Sequence, residues 1–240
     1  MTQTGRRDAL VVLLTAAAGA TNVLSLTALG GVPASIMTAN LVLVGLSITH
    51  HEGALGWHAG AALAGFVVAV FLTSRIIRAH DNQAVDDDQA VDDDQAVEAK
   101  RSVWPRPVTV AIAAEAVPLI GVAIAWGLTA GRPTGATQLT MCTVTALIMG
   151  IQSAAVRALG ATGLSSTFFT GTLTDTVRDL TGPGPLRWSA GTSALVALVA
   201  GAAAEGAVLT YGPQRLGPLL PLVIVCCVAA LSLRGFSRGG

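Results

Sequence analysis

Apolar residues in this chain run in long unbroken stretches and do not alternate with polar ones. Six stretches reach membrane-spanning length, roughly 20 residues each: Ala9–Leu29, Gly56–Ile77, Val108–Leu128, Thr137–Val156, Trp188–Leu209 and Leu216–Leu233. Two others, Val32–Ile48 and Gly163–Leu180, are shorter and more polar. The first is apolar only after Asn40. The second carries Ser165, Ser166, Thr167, Thr170, Thr172, Asp175 and Arg178, a poor surface to show lipid. Each opens with Gly, Pro or Ser/Thr chemistry, which marks a helix start after non-helical chain.

Charge sharpens this pattern. Charged residues make up 12% of the 240 residues, against about 25% in an ordinary soluble domain. Of these 28 residues, 13 fall between Arg75 and Arg106. The remaining helices have too few polar positions to cover a soluble fold, so the chain reads as a polytopic membrane protein. A soluble enzyme, a disordered chain and a nucleic-acid binder are excluded, since net charge is zero and no basic patch exists.

The basic residues also set the topology. If all eight stretches cross, starting from the inside, the 14 Lys and Arg residues divide seven to seven. If the two polar stretches dip in and return on the same side, only Arg132 and Arg215 lie outside and twelve lie inside. The positive-inside rule favours the second arrangement. It predicts an all-α integral membrane protein with six transmembrane helices plus two re-entrant short helices. Both termini are cytoplasmic, and the membrane is the bacterial inner membrane. Arg6-Arg7 followed by an apolar run resembles a signal peptide, but the run continues too far and reads as an uncleaved first helix.

Residues 78–107 form a hydrophilic cytoplasmic linker. It holds three near-copies of one hexapeptide, beginning at Asp81, Asp87 and Asp93. It lacks the Gly and the closing Glu of a calcium loop and reads as a solvated repeat expansion, not a metal site. Cys142, Cys226 and Cys227 lie in apolar runs and imply neither a disulfide framework nor a metal site.

The halves resemble each other. Leu14–Ala16 lines up with Val144–Ala146, Ala28–Gly30 with Ala158–Gly160, and Thr38–Leu41 with Thr170–Leu173. Each half reads span, Gly turn, polar short helix, span, span. With six crossings the first half (1–129, including the acidic linker) starts inside and the second (130–240) starts outside. The repeats are therefore inverted, a recurring transporter architecture.

Several of these residues carry a family resemblance. Gly19-Ala20-Thr21-Asn22, Leu29-Gly30-Gly31 and Met37–Leu41 in the first half resemble the YoaK family of bacterial membrane proteins, a domain-of-unknown-function family. So do Gly150–Ala154, Arg157–Gly160 and Thr167–Leu173 in the second. The chain departs from the family pattern at Ala39, where the family carries Gly, and at Ser153, where Gln-Asn is usual. The resemblance covers nearly everything but the linker. It implies a small multi-pass inner-membrane protein, often described as a transporter, and supplies no substrate.

Candidate site residues follow from the two short helices. Their N-termini carry unpaired N–H groups and partial positive charge. Entering from opposite faces, they would meet at a midplane site for a small solute, anionic or carboxylate-bearing. Ser35, Thr38 and Asn40 are the candidates from the first half, and Ser166, Thr167, Thr170 and Thr172 from the second. The same side chains also serve as caps and interhelical glue. Asn22 and Gln152 occupy equivalent places, and each amide needs a partner. Glu115, Glu205 and Asp175 are the proton-coupling candidates, because acids inside spans are costly and mark ion or proton routes.

No Walker A loop, Rossmann fingerprint or Cys/His metal motif occurs. The expectation is a secondary transporter or channel-like protein, not an enzyme, with no cofactor. Its partners are the lipid bilayer and a small solute, and its Ala/Gly-rich faces permit a homodimer. Two alternatives stand beside it. One is a membrane-embedded lipid-acting enzyme using Glu205 with His58. The other is a structural or regulatory membrane partner that docks through the linker.

Overall fold

The computed structural model describes residues 3–88, 104–160, 169–180 and 189–236. Every regular element among them is helical: α1 (Gln3–Ala28), α2 (Met37–His50), α3 (Gly53–Asp88), α4 (Arg106–Leu128), α5 (Gly135–Ala158), α6 (Phe169–Leu180), α7 (Ala190–Tyr211), a single 3-10 turn (Gln214–Leu216) and α8 (Leu219–Phe236). Six segments are long and apolar enough to cross a bilayer: Thr4–Ala28, Gly53–His80, Arg106–Leu128, Gly135–Ala158, Ala190–Tyr211 and Gln214–Leu233. The 14 residues of α2 reach roughly 21 Å at about 1.5 Å each, short of the roughly 30 Å hydrocarbon core. The 12 residues of α6 reach less.

Each long helix is two-faced. On α4, Val108, Ile112, Glu115, Leu119, Val122 and Trp126 recur at helical spacing and are buried, while Val110, Val117, Ile124 and Leu128 on the opposite face are exposed. In water such an apolar outer face would be costly; in lipid it is the ordinary surface.

Helix ends show how the chain runs. Gln138 of α5 donates to the Ala28 carbonyl at 2.9 Å, and Gln152, farther along α5, donates to the Leu14 carbonyl at 3.0 Å. α5 is therefore antiparallel to α1. Arg6 donates to the Leu231 carbonyl, so α1 begins where α8 ends. Trp126 Nε1 donates to the Gln214 carbonyl at 2.6 Å, which ties the end of α4 to the start of α8. A Cβ on Gly217 would touch Leu24, Leu209 and Trp126, so α1, α4 and α7 finish at one end of the bundle. Gly30, just after α1, lies against the His58 ring in the first turns of α3. α1 therefore finishes at the end where α3 begins.

Packing between helices is paired. α1 packs on α7 and α3 on α5; α1 packs on α8 and α4 on α5; α2 packs on α3 and α6 on α7; α4 packs on α8. The two largest contacts, α1 with α7 and α3 with α5, are seams of small residues. Gly19 faces the Leu198 backbone and Gly201 faces the Ala16 backbone across the first. Across the second, a Cβ on Gly65 would stand 2.8 Å from the Thr143 carbonyl, and one on Gly150 2.6 Å from that of Phe66. Lipid tails are as apolar as Leu, so helices in a membrane associate through such close packing.

The boundary predicted for the linker shifts. Helix α3 continues past Ile77 and His80 to Asp88, taking in the first acidic copy. No Gly or Pro interrupts residues 78–88, and Ala, Gln and Arg are good helix formers.

Candidate functional site

The first polar cluster forms where the chain turns back after α1. Gly30 and Gly31 have φ of 97° and 75°, a left-handed region that favours glycine. The next residues run back along α1. Ser25 Oγ donates to the Val32 carbonyl at 2.7 Å. Asn22 Nδ2 donates to Ser35 Oγ at 2.7 Å and to the Ala18 carbonyl at 2.9 Å, and its Oδ1 accepts from the Ser35 N–H at 3.0 Å. Asn22 lies six residues before the end of α1, or roughly 9 Å along the axis. The returning segment thus reaches that depth before α2 begins. Asn22 and Ser35 clamp this turn, and their polar atoms are satisfied within the protein.

Asn40 is fully enclosed. Its Nδ2 donates to the Pro33 carbonyl at 2.9 Å, while its Oδ1 has no partner. Thr38 is exposed, as are Thr170 and Asp175 in α6. Thr172 is buried. Ser166 and Thr167 lie outside the described residues. α2 packs on α3 and α6 on α7, and the two are not among the elements that pack together. Each short helix packs on the span that follows it with a polar residue buried, Asn40 on α2 and Thr172 on α6, while Leu41, Val42, Leu173 and Val177 are exposed.

Two further enclosed polar side chains lie on α4 and α5. α1, α5, α4 and α8 pack in a closed ring, each on the next. Glu115 on α4 and Gln152 on α5 are both fully enclosed. Ala111 and Ala114 of α4 and Leu147 and Ile151 of α5, near them in sequence, line one common groove. Gln152 Nε2 donates to the Leu14 carbonyl at 3.0 Å, which fixes the amide and leaves Oε1 without a donor. Both carboxyl oxygens of Glu115 also lack donors, as does Ser153 Oγ. Pro118 sits inside α4 one turn later. Having no N–H, it cannot supply the helical bond to the Ala114 carbonyl.

Glu205 is also fully enclosed, with both oxygens unpartnered. It shares the buried face of α7 with Ala194 and Gly201, the face that meets α1. One turn beyond it, Leu209 lines a cavity of about 330 Å³ with Thr27, Trp126, Arg132 and Gln214. His58 Nδ1 is 2.7 Å from the Ala54 carbonyl, so it carries the proton there, and Nε2 is buried without a partner.

Apart from the Ser153 hydroxyl, these unpartnered atoms are acceptors. A buried acceptor without a donor is costly, and a charged one more so. The arrangement therefore suits a proton, an ammonium group or an amide N–H better than a carboxylate. Sequence reasoning selected Glu115, Glu205 and Gln152 as polar groups in apolar runs, and Asn40 as part of a short-helix start. It missed the structural work of Gly19, Gly201 and Trp126, whose partners are remote in sequence, and the bond from Ser25 to the returning chain at Val32. No group of three His, Cys, Asp or Glu side chains among the described residues is arranged to hold a metal ion.

Comparison with known proteins places these residues in a family. The profile of the family described as "Protein of unknown function (DUF1275)" matches residues 10–232. The UPF0700 transmembrane protein YoaK of Bacillus subtilis (strain 168) is 31% identical over 182 residues, covering 76% of this chain and 71% of that protein. No solved structure matches.

Proposed function

The chain belongs to the DUF1275 family of multi-pass membrane proteins, and within it we propose a secondary transporter that passes a small solute through a midplane site. Residues 1–129 and 130–240 are its inverted repeats. The reciprocal packing supports this: exchanging α1–α4 for α5–α8 turns each main pairing into another, α1 on α7 into α5 on α3 and α1 on α8 into α5 on α4. α2 and α6 are the re-entrant elements. Contact of Gly30 with His58 supports that reading for α2, because a crossing helix would separate them. Irregular backbone at this depth is tolerated because Asn22 and Ser25 bond it. Both termini face the cytoplasm of a bacterial inner membrane, the side that then carries twelve of the 14 basic residues.

The observation that carries the proposal is the burial of Glu115 and Gln152. Two side chains on neighbouring spans, both fully enclosed, present three oxygens with no donor. A purely structural pair in the membrane would be expected to satisfy itself. Glu115 is the coupling group, gaining and losing a proton as the solute moves. The solute bears N–H or O–H donors. No catalytic step is assigned.

Purified protein in liposomes under an imposed pH gradient tests this with a panel of small amines, amides, polyols and carboxylates. The expected result is uptake of a donor-bearing solute that depends on the gradient, with the dependence abolished in Glu115→Gln. Absence of flux for every solute, or unchanged coupling in the variant, would refute the proposal.

A lateral apolar groove, described next, favours a second reading as a lipid-acting enzyme. Its acid–base candidates, however, lie on different seams: Glu205 on the face of α7 that meets α1, and His58 against Gly30 and Cys142.

A further inference from the structure

A groove of about 570 Å³ opens between α3, α4 and α5 at the end of the bundle where α3 finishes and α4 begins. Its volume is in the range of ligand sites, roughly 300–1,000 Å³. The deep walls are aliphatic, formed by Leu72 and Ile76 of α3, Val110 of α4, and Leu147 and Ile151 of α5. Polar groups gather at the mouth, where His80 from the last turn of its span and Arg106 from the first residue of α4 both line the groove. Arg75 lies one turn back along α3, with its guanidinium 4.9 Å from the Phe71 ring. Arg78 follows and is exposed.

This order of chemistry matches one class of molecule. A soluble polar ligand would find one hydroxyl, that of Thr73, among otherwise aliphatic deep walls. A simple alkane or sterol body would leave the cationic mouth unused. A phospholipid supplies both parts: an acyl chain for the aliphatic trough and a phosphate for a guanidinium and an imidazole where the spans end. The side matters as well. Twelve of 14 basic residues fall on this side in the six-span arrangement, which makes it cytoplasmic. Basic pockets between helices on that side hold acidic headgroups.

We propose that this groove is a binding site for one anionic phospholipid, with an acyl chain along Leu72, Val110 and Ile151 and the phosphate at Arg106 and His80. The site adjoins Glu115 and Gln152 through their sequence neighbours Ala114 and Ile151. The assignment does not depend on transport, and its test reads binding.

The full-length protein is placed in nanodiscs of phosphatidylcholine with or without added phosphatidylglycerol, and its thermal unfolding midpoint is measured. Wild type should gain several degrees from phosphatidylglycerol, and inorganic phosphate added to phosphatidylcholine discs should give no gain. Arg106→Gln should lose most of the gain. Ala111→Leu, which fills the groove without touching charge, should lose it too. This second variant decides the matter if Arg106→Gln fails to fold. Equal midpoints in the two lipids overturn the proposal. So does a gain that survives in Ala111→Leu, because that would be diffuse attraction to Arg75 and Arg78. A gain from free phosphate alone would also overturn it, by showing an anion site without the chain.

Discussion

Replacing Gly150 with Ala tests whether the α3–α5 seam is set by backbone contact. A Cβ at Gly150 would lie 2.6 Å from the Phe66 carbonyl oxygen and 2.8 Å from the Ala69 Cβ. Carbon atoms prefer about 3.5–4.0 Å, and neither neighbour can rotate away. The helices must part by roughly 0.7–1 Å, and overpacking of this kind costs about 1–3 kcal/mol. Ala in place of Gly returns about 0.5–1 kcal/mol through backbone entropy. Gly121→Ala on α4 isolates that second effect, since nothing lies within 4 Å of its Cβ. The two variants should therefore differ by about 1–3 kcal/mol, with Gly150→Ala the less stable. A protein of this size shifts by about 2–4 °C per kcal/mol, so thermal unfolding in one detergent resolves the gap. If Gly150→Ala melts at or above Gly121→Ala, close backbone packing does not hold this seam.

Three further outcomes follow from the geometry. Asn22→Ala should cost about 1–3 kcal/mol by leaving the Ser35 N–H and hydroxyl without their partner; chemical unfolding measures it, and a loss within error would mean that the turn is held elsewhere. Trp126→Phe removes the 2.6 Å bond to the Gln214 carbonyl and should lower stability by about 0.5–1.5 kcal/mol, with faster proteolysis of the 213–217 turn as the local readout. A single cysteine replacing Ala99, in a background lacking Cys142, Cys226 and Cys227, should react with a membrane-impermeant maleimide only after cells are opened; labelling of intact cells would reverse the topology.

What the sequence determined by itself was the set of spans. Long apolar runs need only length to be recognised, and six of them recur as the six spanning helices. The non-helical entry to α2 was also legible, because Pro33 and Ser35 precede it. Glu115, Glu205 and Gln152 stood out because a polar side chain in an apolar run has few explanations. Tertiary structure decided which of these groups found partners. Asn22 and Gln152 look equivalent along the chain, yet Asn22 is satisfied by Ser35 thirteen residues away, while Gln152 spends its N–H on Leu14 and leaves its oxygen bare. The preference for donors over a carboxylate came from that difference. It depends on which atoms face one another across packed helices, and periodicity along one helix carries no information about the depth at which its neighbour presents a carbonyl, a glycine or a ring. The same holds for Gly19 with Gly201 and Gly65 with Gly150. In a chain of 27 glycines, only the meeting of two backbones shows which ones the fold needs.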